Sequence, residues 1–361
     1  MTPRERFLTT IRRGRPDRPP IFATFTPQVA ERMSRALGLP YEPPEDSLLS
    51  TRISHPNLLT TLGNDAVGIA ACAPRRFPTH SESDGTLVNE WGMRFRTVGL
   101  YNEFIEFPLA HAETRADIEA YPFPEAHAEG RFDHARMTVQ VFGQTHGIVA
   151  DLETTMFETA WYLVGLEKFL TDLMIGAEYV EPLLDRIAEI NVGIGKELIR
   201  LGADVIWCGD DFGGQNGMIM SPELWRQVFK PRIRRIFEAF RSVNPQIKIA
   251  WHSCGSILPI IPDFIEIGLD ILNPLQPLAK DMTPELLKRE FGRDLIFFGG
   301  IDVQELLPHG TPEQIRAEVT RRMRVFGGDG GYIAAPAHNV QDDTPEENIL
   351  AMFEAVKEFR G

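Results

Sequence analysis

Residues 204–254 contain Asp204-Val-Ile-Trp-Cys-Gly-Asp-Asp211, then Ser221-Pro-Glu-Leu-Trp225 at the head of an amphipathic stretch over 224–243, then Ile247-Lys-Ile-Ala-Trp-His-Ser-Cys254. Each short apolar, β-branched run ends in polar residues, and the segment between them carries apolar side chains at helical spacing. Strand, helix and strand in that order predict two parallel neighbours joined by a crossover.

The same alternation continues in both directions. Candidate strands fall at 21–25, 65–70, 147–152, 204–208, 247–251, 271–273, 295–298 and 332–335, and further helical patterns lie at 161–174, 179–201, 286–291, 315–326 and 347–359. Eight strand-then-helix units predict an α/β fold, a (β/α)8 TIM barrel, formed by a single domain over 1–361. Ser221-Pro-Glu, Thr283-Pro-Glu, Thr311-Pro-Glu and Thr344-Pro-Glu each put a hydroxyl before a proline and an acid, which predicts four helix N-caps. The distance between the second and third candidate strands exceeds what one helix needs, so an insertion is expected over about 71–140. Within it Glu90-Trp-Gly-Met-Arg-Phe-Arg-Thr-Val98 alternates like a hairpin strand, and the Pro-rich, acidic stretch 108–125 reads as loop and short helix. The insertion is expected to form a flap beside the barrel mouth.

Hydrophobic residues at 43% and charged residues at 24% of the 361 fit a globular chain with a large core. No stretch approaches the roughly 18 uninterrupted apolar residues of a membrane span, and the first residues lack the apolar run of a secretory leader, so the expected location is the cytoplasm. A formal net charge of −14 disfavours nucleic acid and anionic membranes as partners. Cys72, Cys208 and Cys254 are too few for a disulfide framework, so each is core packing or a reactive or ligating thiol.

In a closed parallel barrel the active site lies at the C-terminal strand ends. There the third strand runs into Asp151-Leu-Glu153, the fourth into Asp210-Asp211, the fifth into His252-Ser-Cys254, the sixth into Asn273-Pro-Leu-Gln276, the seventh into Asp302 and the eighth into His338-Asn339. His252 and Cys254, two apart, project to one side and offer an imidazole nitrogen and a thiolate to one cation, with His338 as third ligand. That set suits a catalytic zinc, which needs three protein ligands and one exchangeable position; packing in the core is the plain alternative.

Asp210 and Asp211 are candidate catalytic groups, either a pair whose repulsion raises one pKa for acid-base work or one acid held by backbone N–H beside a solvated one. Glu153 reads as a fourth, displaceable ligand or as a cap or ion-pair partner for the following helix. Glu153, Asn273, Gln276, Asp302 and Asn339 are the candidate substrate-binding residues, and His338 is a candidate for catalysis as well as for the metal. His146 falls at the opposite end of the barrel and reads as structural, and nothing ties His55, His80, His111, His127, His134 or His309 to the site. Cys208 reads as core.

Arg4-Glu-Arg-Phe-Leu8, Asp17-Arg-Pro-Pro-Ile21, Ser221-Pro-Glu-Leu-Trp225, His252-Ser-Cys-Gly255, Asn273-Pro-Leu-Gln-Pro277, Phe298-Gly-Gly-Ile-Asp302 and Pro336-Ala-His-Asn339 together resemble the uroporphyrinogen decarboxylase superfamily across nearly the whole chain. The resemblance implies a (β/α)8 barrel, often dimeric, that handles tetrapyrroles or moves methyl groups to or from corrinoid proteins. Its decarboxylases carry an arginine-rich segment after the first strand; here that region reads Ala23-Thr-Phe-Thr-Pro-Gln-Val29, with no arginine before Arg32. Its methyltransferases carry His-x-Cys after the fifth strand, matched by His252 and Cys254, and a cysteine after the eighth, whose place His338 takes.

The methyltransferase branch therefore implies a zinc-dependent methyltransferase or O-demethylase component. Zinc would bind an acceptor thiol or polarise a donor oxygen, and a methyl group would pass between a small-molecule donor or acceptor and a corrinoid (cobalamin) carried by a separate partner protein. The runner-up is a decarboxylase acting on an acid without metal, and a third reading is a noncatalytic tetrapyrrole-binding protein.

Overall fold

The computed structural model describes residues 1–47, 52–98 and 101–360. Seven strands form one parallel sheet: Ala66–Ala70, Gly147–Glu153, Val205–Gly209, Lys248–His252, Ile271–Asn273, Ile296–Ile301 and Tyr332–Pro336. Their order in the sheet is their order in the chain. Each strand is fully or almost fully buried, as expected for a parallel sheet covered on both faces.

The segment at 21–25 is not a ladder strand. It lies between the last and first strands of the sheet and touches each differently. Toward the last it makes backbone bonds, Phe22 N to Ala334 O at 3.1 Å and Ala334 N to Pro20 O at 2.8 Å. Toward the first it makes one backbone bond, Asp65 N to Ile21 O at 2.8 Å, and otherwise meets side chains: Ile21 N donates to Asp65 Oδ2 at 2.8 Å and Ala23 N to Asn64 Oδ1 at 3.0 Å. Asn64 and Asp65 thus take donors that a strand neighbour would have taken, so only isolated bridges remain.

Two apolar layers flank the sheet. Inside its curve, Phe22, Val149, Val205, Trp207, Ala250, Ile271, Ile296, Phe298 and Ile333 pack with Phe7 and Ile11 of the N-terminal helix Pro3–Ile11. Phe7 is wholly buried and stands against Gly147, where an added Cβ would come within 2.2 Å of its ring. This helix closes the N-terminal end of the sheet, and Arg4 fixes it there with two bonds to Asp204. Outside, the helices bury apolar stripes; Val180–Leu201 turns Leu183, Leu184, Ile187, Ile194 and Leu198 inward at helical spacing. Among the described residues no helix is long and apolar enough to cross a membrane.

Several predicted boundaries shift. The helix expected over 161–174 is two, Phe157–Val164 and Leu166–Ile175, because Gly165 at φ +96° interrupts it. The stretch 224–243 likewise divides into Pro222–Val228 and Lys230–Arg241. Of the four predicted hydroxyl caps, Ser221 and Thr311 accept the N–H of Leu224 and Gln314, Thr283 makes no such bond, and Thr344 lies outside a helix whose N-cap is Pro345.

Between Ala66–Ala70 and Gly147–Glu153 the chain forms a small antiparallel sheet, His80–Ser81, Leu87–Val88, Arg94–Val98 and Tyr101–Glu106, followed by helices Arg115–Ala120 and Asp133–Phe142. The strand expected from 90 begins at Arg94, because Asn89 Oδ1 accepts the N–H groups of Trp91 and Met93 and turns the chain there. Phe104 of this sheet stacks on Tyr162 with ring centroids 4.4 Å apart.

Candidate active site

The strand register places Glu153 beside Gly209, Gly209 beside His252 and His252 beside Asn273, one row across four adjacent strands at their C-terminal ends. Gly209 makes the row possible. A Cβ there would stand 2.7 Å from His252 Cβ and 3.3 Å from Glu153 Cγ, so only glycine lets imidazole and carboxylate approach across the strand between them.

His252 is buried and oriented by Asn273. Asn273 Nδ2 donates to Phe298 O at 3.0 Å, which turns Oδ1 toward His252 Nδ1 at 2.5 Å. The acceptor assigns the proton to Nδ1 and leaves the Nε2 lone pair facing the site. Cys254 Sγ lies 3.3 Å from that nitrogen, and the His338 ring centroid is 6.1 Å from that of His252. Ligand atoms of His252, Cys254 and His338 lie mutually within 4.8 Å. The loop is held by Asp211 Oδ1, which accepts Cys254 N–H at 2.6 Å, and by Gln276 Oε1, which accepts Gly255 N–H at 2.8 Å.

Five acids surround these three residues. Glu153 Oε1 is 3.5 Å and Asp211 Oδ1 3.7 Å from His252 Nε2. Glu158 accepts the N–H of Asp211 at 3.1 Å and the hydroxyl of Tyr162 at 3.0 Å. Asp210 turns the other way and accepts the N–H groups of Met156 and Glu158 at 3.0 and 3.1 Å, which satisfies the start of helix Phe157–Val164. Asp151 accepts Glu153 N–H at 3.0 Å. Arg52 is the cation facing them: it ion-pairs with Glu153, stands 3.9 Å from Asp151 and lies over the Trp207 ring at 4.7 Å.

Excess negative charge and burial act together on the titrating groups. Burial pushes Glu153 up to about 7, against the pull of Arg52, and Asp210 up to about 7, against its backbone donors. Glu158 and Asp211 are also raised, burial being the largest cause. The Cys254 thiol is pushed well up by burial and by Asp211 and Glu153. Burial and the Arg52 charge hold His252 down at about 4 and His338 at about 3, so both imidazoles are neutral near pH 7. Neutral imidazoles, a thiol and a surplus of carboxylates form a donor set that a divalent cation fits, since it would offset the charge and take up the Nε2 lone pair.

The other expected residues lie around this centre. Asp302 accepts the N–H groups of Gln304, Glu305 and Leu306 at 3.2, 2.9 and 2.8 Å, so it holds the turn after its strand. Asn339 Oδ1 accepts the Thr24 hydroxyl at 2.5 Å, which ties the 21–25 segment to the chain beyond the last strand. Arg32 is away from the cleft, on Asp342 and Thr344 O. His146 is at the opposite end, where its carbonyl accepts from Arg4. Cys208 is buried in the core.

Sequence reading missed Arg52, Glu158 and Trp207. Glu158 had a signal, as an acid in the first turn of the helix that leaves Asp151-Leu-Glu153. Arg52 had none beyond lying in the long connection before Pro56–Leu62.

The uroporphyrinogen decarboxylase (URO-D) family pattern matches residues 106–359. The chain belongs to the uroporphyrinogen decarboxylase family. Within this family it is 28% identical over 211 residues to a methylated-thiol–coenzyme M methyltransferase of Methanosarcina mazei, 58% of this chain and 53% of that protein. It is 29% identical over 189 residues to the uroporphyrinogen decarboxylase of Thermus thermophilus, 52% of this chain and 51% of that protein. The matched part spans about half the length of these relatives. A solved methyltransferase from Methanosarcina mazei superposes over 100% of both chains with a TM-score of 0.73 at 21% identity, which shows the fold.

Proposed function

We propose that this URO-D family chain is a zinc-dependent methyltransferase that exchanges a methyl group between a small substrate, a thiol or an O- or S-methyl compound, and a corrinoid carried by a partner protein. The observation that carries this reading is the convergence of His252, Cys254 and His338 beneath a surplus of carboxylates. The similarity to a thiol methyltransferase supports the reaction class. In the same reading the 21–25 segment, which bridges the last and first strands, closes the (β/α)8 barrel, the 71–140 insertion forms a flap at its mouth, and the protein acts in the cytoplasm as a homodimer.

His252, Cys254 and His338 would hold the zinc, with Glu153 as a displaceable fourth donor. Bound there, zinc supplies Lewis acidity, which sharpens a thiol nucleophile or a leaving oxygen. Every other part belongs to the chain. Asn273 fixes the tautomer of His252, and Asp211 fixes Cys254 through its backbone N–H. The aromatic walls Phe22, Trp207 and Phe298, which with Arg52, His252 and His338 line the cleft, limit it to small substrates and exclude water.

When a thiol is methylated, its proton passes to the carboxylate of Asp211, whose side chain is one-third exposed and returns it to solvent. The sulfur lone pair forms the new S–C bond, and the pair of the broken bond stays on the partner's cobalt. Asp210 positions the strand end and the following helix. Gln276 and Asp302 position the loops around the cleft, and Asn339 positions the 21–25 segment.

The test is zinc content and methyl transfer from free methylcobalamin to small thiols, in the wild type and in a Cys254→Ala, His338→Ala variant. The variant should lose about one zinc per chain and the transfer. Transfer that survives in the metal-free variant sinks the mechanism.

One observation favours decarboxylation of a small acid as a second reading: the Arg52 guanidinium lines the cleft, where it can receive a carboxylate. That reading predicts release of CO2 by chelator-treated protein and its loss in Arg52→Met.

A further inference from the structure

Three further side chains, none of them in the row of strand ends, meet between separate segments. Glu45 comes from the loop after helix Pro27–Ala36, Cys72 from the turn just beyond strand Ala66–Ala70, and His134 from the first turn of helix Asp133–Phe142. One ligand atom of each lies within 4.8 Å of the others. His134 Nε2 is 3.7 Å from Glu45 Oε1, with the histidine side chain 9% and the glutamate 39% exposed.

The plain reading is a packed thiol beside a satisfied histidine, and the geometry argues against it. Among the described residues the imidazole's Nε2 meets Thr138 Oγ1 at 3.3 Å, while its Nδ1 is buried without a partner. A buried polar nitrogen left unpaired costs about 1–3 kcal/mol, so such a group calls for an unseen partner. The nearby cation does not supply it, because Arg131 is occupied by Glu90 through two bonds of 2.6 Å. The backbone has already converged: Cys72 N donates to Arg131 O at 2.9 Å, Ala73 N to Asp46 O at 2.6 Å, and Ser47 bridges Cys72.

We propose that Glu45, Cys72 and His134 form a second metal site, for zinc or a similar borderline divalent ion, independent of the catalytic reading. A nitrogen, a thiolate and a carboxylate are three protein ligands of the kinds zinc takes, and the exposed Glu45 side leaves a fourth position to water. In tetrahedral zinc sites ligand atoms stand roughly 3.3–3.8 Å apart, so the cluster closes by side-chain shifts of about 1 Å. Binding exchanges the Cys72 S–H proton for the metal and releases that proton to solvent. The ion would clamp the loop at Glu45 to the end of the Ala66–Ala70 strand and to helix Asp133–Phe142.

The test uses the full chain with Cys254→Ala and His338→Ala, stripped of metal under reducing conditions and titrated with Co2+ as a spectroscopic probe. The expected result is about one Co2+ per chain with a thiolate-to-cobalt charge-transfer band. Adding Cys72→Ser should abolish the band, and adding His134→Gln should weaken binding at least tenfold, with the metal-free circular dichroism of both unchanged. Should Cys72→Ser fail to fold, Glu45→Gln on the exposed side carries the same test. Absence of the band in the starting variant, or its persistence after Cys72→Ser, overturns the proposal.

Discussion

Asn273 stands between two partners and decides what His252 can do: its amide nitrogen donates to Phe298 O at 3.0 Å, so its oxygen must face His252 Nδ1, 2.5 Å away. A metal-ligating histidine depends on such a partner for its tautomer and ring orientation, and losing one typically costs 10–100-fold in affinity. Asn273→Ala should therefore weaken zinc binding by about 10–100-fold in competition with a chromophoric chelator, while Asn273→Asp, which keeps an acceptor at that place, should retain most of it. Equal affinity of the alanine variant and the wild type would remove Asn273 from the site.

Gly209 separates His252 from Glu153, and the space for a Cβ there is already filled at 2.7 Å by His252 Cβ and at 2.9 Å by its carbonyl oxygen. Since the second neighbour is backbone, the strands themselves must part to admit a methyl group. Gly209→Ala is expected to cost about 1–3 kcal/mol in denaturant unfolding, as overpacked cores do, and to weaken zinc binding in the same protein. Normal stability together with normal metal content would contradict this account of the row.

At the opposite end of the sheet, Arg6 donates to Asp17 at 2.6 and 2.9 Å and to Asp65 at 2.5 Å. The Arg6 bonds hold the Asp17 carboxyl well below the usual carboxylate range. A depressed native pKa means that the unfolded chain takes up the proton first, near pH 4. The contribution is thus complete above about pH 4 and fades as pH falls through the native value. With Asp17 43% exposed, solvent screening limits the effect to about 1 kcal/mol or less. Asp17→Asn should lower Tm slightly at pH 7 and draw level with wild type in strong acid; a constant difference across that range would show that the charge is not what matters.

The series of strands was legible because the buried parallel strands read as short apolar runs and the polar residues fall at their C-terminal ends. The segment 21–25 makes isolated bridges in place of a full ladder because Asn64 and Asp65 take two of its backbone donors with their side chains, and no local pattern reports which donors a side chain will take. The meeting of His252, Cys254 and His338 was legible for the opposite reason: strand-end spacing alone brings them together. Glu45, Cys72 and His134 meet only through the tertiary path of a loop and a helix, and their separate positions in the sequence carry no periodicity to reveal it. Arg52 belongs to this second kind.

Arg52 is the buried counter-charge of the site, so its removal should cost more than the pair contributes. It faces Glu153 and Asp151, with its side chain 8% exposed and those of the two acids 9% and 2%. Breaking a buried pair from one side leaves an uncompensated charge and typically costs 3–5 kcal/mol, whereas replacing both partners by neutral groups of similar volume is often close to neutral. Arg52→Met alone should thus destabilise the metal-free protein by about 3 kcal/mol in urea unfolding, and Glu153→Gln in that background should recover a good part of the loss. Additive losses in the double variant would mean that the two side chains do not compensate one another. Zinc supplies positive charge to the same acids, so it should stabilise Arg52→Met more than wild type; equal stabilisation would separate the guanidinium from the metal centre.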